Sequence, residues 1–153
     1  MKVFLDSDGV LLGCDRERPS RLALADHALD LLAFVLARAE VFWLGPQGRG
    51  DARAMVEHLV RHARASDRER LLSLASKVRA ADWRGLRTDA LPADGNFVWL
   101  DDGPEPGELA VLKGRGWLDR WVWIDTRESP DDLVRAQQVL GKRLGGVAAR
   151  GEA

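Results

Sequence analysis

Four short apolar runs punctuate the chain: Val3-Phe4-Leu5, Val41-Phe42-Trp43-Leu44, Phe97-Val98-Trp99-Leu100 and Trp121-Val122-Trp123-Ile124. Each has the length of a strand and is followed by an aspartate or a glycine. Between them lie longer segments whose apolar residues recur at helical spacing. That alternation specifies βαβ units around a mainly parallel sheet, so the expected fold class is α/β. The last two runs read as strands buried on both faces.

The helical segments carry start and stop signals. Asp26 stands at an N-cap position before Ala28, Leu29, Leu31, Leu32, Val35 and Leu36, which predicts a helix ending near Ala39. Asp51 caps a second helix through about Ala65, and Ser66-Asp67 opens a third with Leu71, Leu72, Leu74 and Val78 on its apolar side. Pro130, with Asp131 and Asp132 behind it, starts a last helix that stops near Gly145-Gly146. Residues 13–20 read as a loop or small hairpin, and residues 80–95 show no regular period. A single domain is expected over 1–147, with a flexible tail over 148–153.

Composition narrows the class further. Lys and Arg number 23 against 24 Asp and Glu, a net charge of −1 that supplies no chain-wide field for nucleic acid or an anionic membrane. The single cysteine, Cys14, permits no internal disulfide, and no Cys/His cluster has zinc-ligand spacing. Asp6 interrupts the N-terminal apolar run too early for a secretory segment. The longest apolar stretch, 28–39, is broken by Asp30 and Arg38 and falls short of the roughly 20 residues of a membrane span. A soluble, cytoplasmic protein with no membrane partner is expected.

The chemistry gathers where the strands end: Asp6 and Asp8, then Gly45, then Asp101 and Asp102, then Asp125. Open parallel sheets bind ligands beyond the carboxyl ends of their strands. Carboxylates crowded there repel one another unless a cation sits between them, and hard oxygen ligands without Cys or His favour Mg²⁺. Asp125 reads as a loop cap.

The run Val3-Phe4-Leu5-Asp6-Ser7-Asp8-Gly9-Val10 resembles the first motif of the haloacid dehalogenase-like (HAD) phosphatase superfamily. Phe97 to Asp102 is similar to that superfamily's fourth motif. Trp83 to Leu91 resembles a Trp-x-x-x-Lys-Thr-x-Ala stretch of small bacterial members without a large cap, with Arg87 in the place of the lysine. The resemblance implies a Rossmann-like three-layer sandwich and a Mg²⁺-dependent phosphomonoester hydrolase. Asp6 would be the nucleophile, and Asp8 the acid and base. The ion would lie on Asp6, the backbone carbonyl of Asp8, and Asp101, with Asp102 as a direct or outer ligand. Arg87 would meet the phosphate, with Lys77 the competing candidate. The family's second motif ends its strand in Ser or Thr where this chain has Leu44-Gly45-Pro46, so a backbone N–H at Gly45 or Gln47 is the expected phosphate contact.

Little chain is left for a cap, and an open site suits a large phosphorylated substrate: a nucleotide, a nucleic-acid end or a phosphoprotein. Nucleic acid enters only as substrate. Two alternatives stand beside this reading. One is a binding or regulatory protein on the same fold, catalytically weakened at Gly45. The other is a PIN-like metal-dependent nuclease that forms no covalent intermediate. Among the remaining residues, His27, His58 and His62 read as helix surface and Cys14 as incidental. Trp43, Trp99 and Trp123 read as core, and Trp83 and Trp117 as candidates for stacking on a base or partner.

Overall fold

The chain forms seven strands and five helices among the residues described by the structure, a computed structural model covering 1–148. In chain order they are β1 (Lys2–Leu5), β2 (Leu12–Cys14), β3 (Leu22–Leu24), α1 (Ala28–Leu36), β4 (Glu40–Trp43), α2 (Ala52–Arg61), α3 (Arg68–Ala75), β5 (Arg79–Ala80), β6 (Phe97–Asp101), α4 (Pro106–Gly114), β7 (Trp121–Trp123) and α5 (Asp132–Ala148). Five of the strands make one sheet in the order β5-β4-β1-β6-β7, and every neighbouring pair is parallel. β2 and β3 form a separate antiparallel hairpin directly after β1. The result is the α/β, Rossmann-like three-layer sandwich.

The pleat sorts the strand side chains into two cores. Val3 and Leu5, Val41 and Trp43, and Val98 and Leu100 pack on one face with residues of α1, α2, α3 and α5. Phe4, Phe97 and Trp99 point the other way and pack with Leu112 of α4, Trp83 and Trp117. Both faces are therefore covered, which is why the runs read as continuously apolar.

Several boundaries differ from expectation. The first helix ends at Leu36, and its N-cap is His27 in a left-handed conformation (φ 66°) rather than Asp26. The last helix runs through Gly145-Gly146 to Ala148. Glycine lowers helix propensity without forbidding helix, and here it does not stop the run. Of the expected tail over 148–153, residue 148 is helical and the rest lies outside the described residues. α4 was not legible from periodicity. Pro106 and Gly107 read as loop, yet Pro106 suits a first-turn position and Glu108 closes a capping box on the Glu105 backbone N–H.

The tryptophans also sort differently. Trp83 and Trp117 are buried at 8% and 7% exposure, whereas Trp123 stands 56% exposed. β7 is an edge strand among the described residues, and the ring at its last residue is left half in solvent. No helix among the described residues is long and apolar enough to cross a membrane.

Candidate active site

The strand order places a topological switch at β1. From there the chain builds β4 and β5 on one side and then crosses to β6 and β7 on the other, opening a crevice at the carboxyl ends of β1 and β6. Asp6 follows β1, and Asp101 ends β6 with Asp102 next in line. The alternation that sends Phe4 and Trp99 to the α4 side carries one step further to Asp6 and Asp101. One oxygen from each of Asp6, Asp101 and Asp102 lies within 4.8 Å of the others. Asp6 Oδ1 accepts the Ser7 N–H at 2.7 Å, and Asp101 Oδ1 accepts that of Gly103 at 2.9 Å. The turn after β1 fits against Asp102 only because residue 9 is glycine: its φ is 79°, and a Cβ there would lie 2.2 Å from Asp102 Oδ2.

Arg87 penetrates this cluster. It opens a single 3₁₀ turn (Arg87–Ala90) and is 8% exposed. Its Nη1 donates to Asp101 Oδ2 at 2.6 Å and lies 3.5 Å from Asp6 Oδ2. Nε and Nη2 donate to the two oxygens of Glu108, both at 2.9 Å, and the guanidinium lies 4.9 Å from the centre of the Trp99 ring. The fork expected to meet a phosphate is thus largely filled by protein carboxylates. Glu108, 2% exposed, is a site residue that the sequence reading missed. Its signal was an acid two residues after Pro106 and three after Glu105.

Asp8 is held by a second set of groups. His58 Nε2 lies 2.7 Å from Asp8 Oδ1, Ser7 Oγ donates to the same oxygen at 3.2 Å, and Gln47 Nε2 donates to Oδ2 at 3.2 Å. The Asp8 carboxylate does not belong to the converging triad. Of the histidines expected on helix surface, His58 instead faces the site, with the His62 ring edge-on to it at 5.3 Å. Its position three residues after buried Met55 and one before buried Leu59 was the available clue. Asp125 caps its loop as expected, accepting the N–H groups of Arg127 and Glu128.

Gly45, at the end of β4, lies against Asp6: a Cβ there would sit 2.3 Å from Asp6 Oδ1. Lys77 is remote in the topology. It precedes β5, at the opposite edge of the sheet, and lines a separate depression with Glu40 and Arg79. A groove of about 880 Å³ runs between the β2–β3 hairpin, the start of α1 and the end of α2, and the carboxylate triad does not line it.

The electrostatics fit a cation. Burial, then the charge of Asp101, pushes the Asp6 carboxyl well above the usual range, with Arg87 opposing. Burial also raises Asp101 against the pull of Arg87, and burial together with the charge of Asp101 raises Asp102. For Arg87 itself burial acts downward but is outweighed by Glu108, Asp101 and Asp6, so the guanidinium stays charged. Glu108 is held below its ordinary value because its hydrogen bonds to Arg87 outweigh burial. One buried guanidinium thus faces three carboxylates, Asp6, Asp101 and Glu108, and the triad of Asp6, Asp101 and Asp102 offers oxygen donors alone, a set that could hold a hard divalent ion.

Comparison with protein-family models, with curated proteins and with solved structures found no match to this chain. Fold and site together define an α/β sandwich with a carboxylate–guanidinium cluster at its topological switch.

Proposed function

We propose that the protein is a cytoplasmic, Mg²⁺-dependent phosphomonoester hydrolase of the HAD type, with Asp6 as its nucleophile. The observation that carries this reading is the convergence of Asp6, Asp101 and Asp102 at the carboxyl edge, with Asp8 fixed one turn away. In the first step Asp6 attacks phosphorus and forms the aspartyl-phosphate, while the P–O bond to the leaving group breaks and Asp8 gives that oxygen a proton. In the second, Asp8 takes a proton from water as the water attacks phosphorus, releasing inorganic phosphate and restoring Asp6. Asp6, Asp101, Asp102 and the Asp8 backbone carbonyl would hold the Mg²⁺. When bound, the ion screens the Asp6 charge from the incoming phosphate and stabilises the charge of the transferring group.

In this reading Arg87 fixes Asp6 and Asp101 and contributes positive charge, and the backbone N–H groups of the Gly45–Gln47 loop meet the phosphate. His58, Gln47 and Ser7 aim Asp8. The second reading, a binding protein on the same fold, is favoured by Gly45, which supplies no hydroxyl beside Asp6. Release of phosphate from a panel of phosphomonoesters, with wild type beside Asp6→Asn, separates the two. The hydrolase reading expects release that needs Mg²⁺ and falls at least about a thousandfold in Asp6→Asn, which removes the covalent route. Equal inactivity of the two folded proteins would support the binding reading, and internal cleavage of RNA would support a nuclease.

A further inference from the structure

Among the described residues Trp123 is the one tryptophan that stands more than half in solvent, and it lies beside Asp101 and Asp102 of the candidate active site. It ends β7 in register with Asp101. Its indole N–H donates to the Asp102 carbonyl at 3.2 Å, and that of Trp121, two residues earlier, donates to the Asp101 carbonyl at 3.1 Å. The backbone beneath the two aspartates therefore anchors two indoles. The inner one packs against the second core, and the outer one is left 56% exposed.

A large apolar ring left in water at an edge gains by stacking. A ring already anchored loses little orientational freedom when it does so. At the same rim Arg127, its side chain 40% exposed, pairs with Asp102, Nη1 lying 3.7 Å from Oδ2. Spacing decides what kind of ring fits. Asp6 follows β1 and Trp123 ends β7, strands whose backbones run two spacings, or about 9.5 Å, apart. A base set off from its phosphate by a pentose has the reach to bridge strands so spaced, and a ring bonded directly to the ester oxygen, as in a phenolic phosphate, has less.

Resting on the hydrolase reading, we propose that Trp123 is the platform on which the base of a nucleoside phosphate stacks while its phosphomonoester reaches Asp6. The substrate class is then nucleotides, free or at the end of a strand. Trp123 is a specificity-determining residue, not a catalytic one.

The test measures binding to the Asp6→Asn protein in Mg²⁺ by calorimetry, with adenosine 5′-monophosphate, ribose 5-phosphate, phenyl phosphate and a 5′-phosphorylated oligonucleotide as probes. The mononucleotide is expected to bind about tenfold more tightly than ribose 5-phosphate, with Trp123→Leu erasing the difference and Trp123→Phe keeping most of it. Equal affinity for the nucleotide and the sugar phosphate, a difference that survives Trp123→Leu, or equally Trp123-dependent binding of phenyl phosphate would overturn the proposal. The ranking of mononucleotide against oligonucleotide identifies the source of the base. KM ratios for the same probes in the Asp6-intact protein provide the second measurement. Trp123-dependent nucleotide binding without hydrolysis keeps the platform and removes the hydrolase. Hydrolysis with identical KM for nucleotide and sugar phosphate does the reverse.

Discussion

At position 45 a Cβ would lie 2.3 Å from Asp6 Oδ1 and 3.2 Å from Met55 Cε, so any side chain there displaces the carboxylate. Asp6 is short, and its oxygens are already committed: Oδ1 to the Ser7 N–H, Oδ2 toward Arg87. Turning it away breaks both. The family resemblance asks for a hydroxyl at the end of this strand, and supplying one should therefore harm the protein. Gly45→Ser is expected to lower kcat/KM at least tenfold and to cost about 1–3 kcal/mol of stability, the range for overpacking a filled site. Gly45→Ala should match it, since the first added carbon is what clashes. Phosphate release and urea melts on the two variants check this, and a gain of activity in Gly45→Ser would refute the packing argument. Position 9 obeys the same logic, where positive φ and the Asp102 contact each exclude a side chain.

At the scale of elements, α2 begins with a cap that was visible in the sequence and ends by presenting a histidine that was not. Asp51 Oδ1 accepts the N–H groups of Arg53 and Ala54 at 3.0 and 3.1 Å. Asp51→Ala should therefore cost about 1 kcal/mol in a denaturant melt. His58 sits nearly two turns further on, anchored by Met55 and Leu59 beside it, so on the proposed hydrolase reading phosphate release by Asp51→Ala should stay within about twofold of wild type; a tenfold loss would mean that the cap also sets the site. The helices with an apolar period, the cap at Asp51, the four principal strands and the acids that follow them were legible because each leaves a local signal: a period, a cap, a charge after an apolar run. β5, two residues long, has no period to read. α4 has a single fully buried leucine, Leu112, and a Pro-Gly start. Glu108 and His58 depend on contacts made 21 and 50 residues away in sequence, and spacing within one element does not report those. Trp123 was misplaced for a related reason. Burial of a strand end depends on which strand lies outside it, and β7 has none.

For the molecule as a whole, the triad sets a dependence of stability on pH that a divalent ion should reverse. Asp6, Asp101 and Asp102 are each held above the ordinary aspartate value of about 4. The folded, metal-free protein therefore keeps protons there that the unfolded chain has released. Their contribution to stability is complete below that ordinary value and is lost as pH rises through the raised folded values. Glu108, held low by Arg87, contributes in the opposite sense: its share is present above the ordinary glutamate range and is lost as pH falls through its lowered value. In EDTA the melting temperature should accordingly peak in mild acid and decline toward neutrality. Mg²⁺ competes with protons for the same oxygens, so its stabilisation should be largest near pH 8 and vanish as the triad protonates. At a hundred times its dissociation constant it should add about 2.7 kcal/mol, a rise of roughly 5–10 °C for a domain of this size. Melts from pH 4.5 to 8 with EDTA and with Mg²⁺ measure this directly. A Mg²⁺ increment independent of pH, or equally large in Asp101→Asn and wild type, would place the ion elsewhere and leave the triad to Arg87 alone.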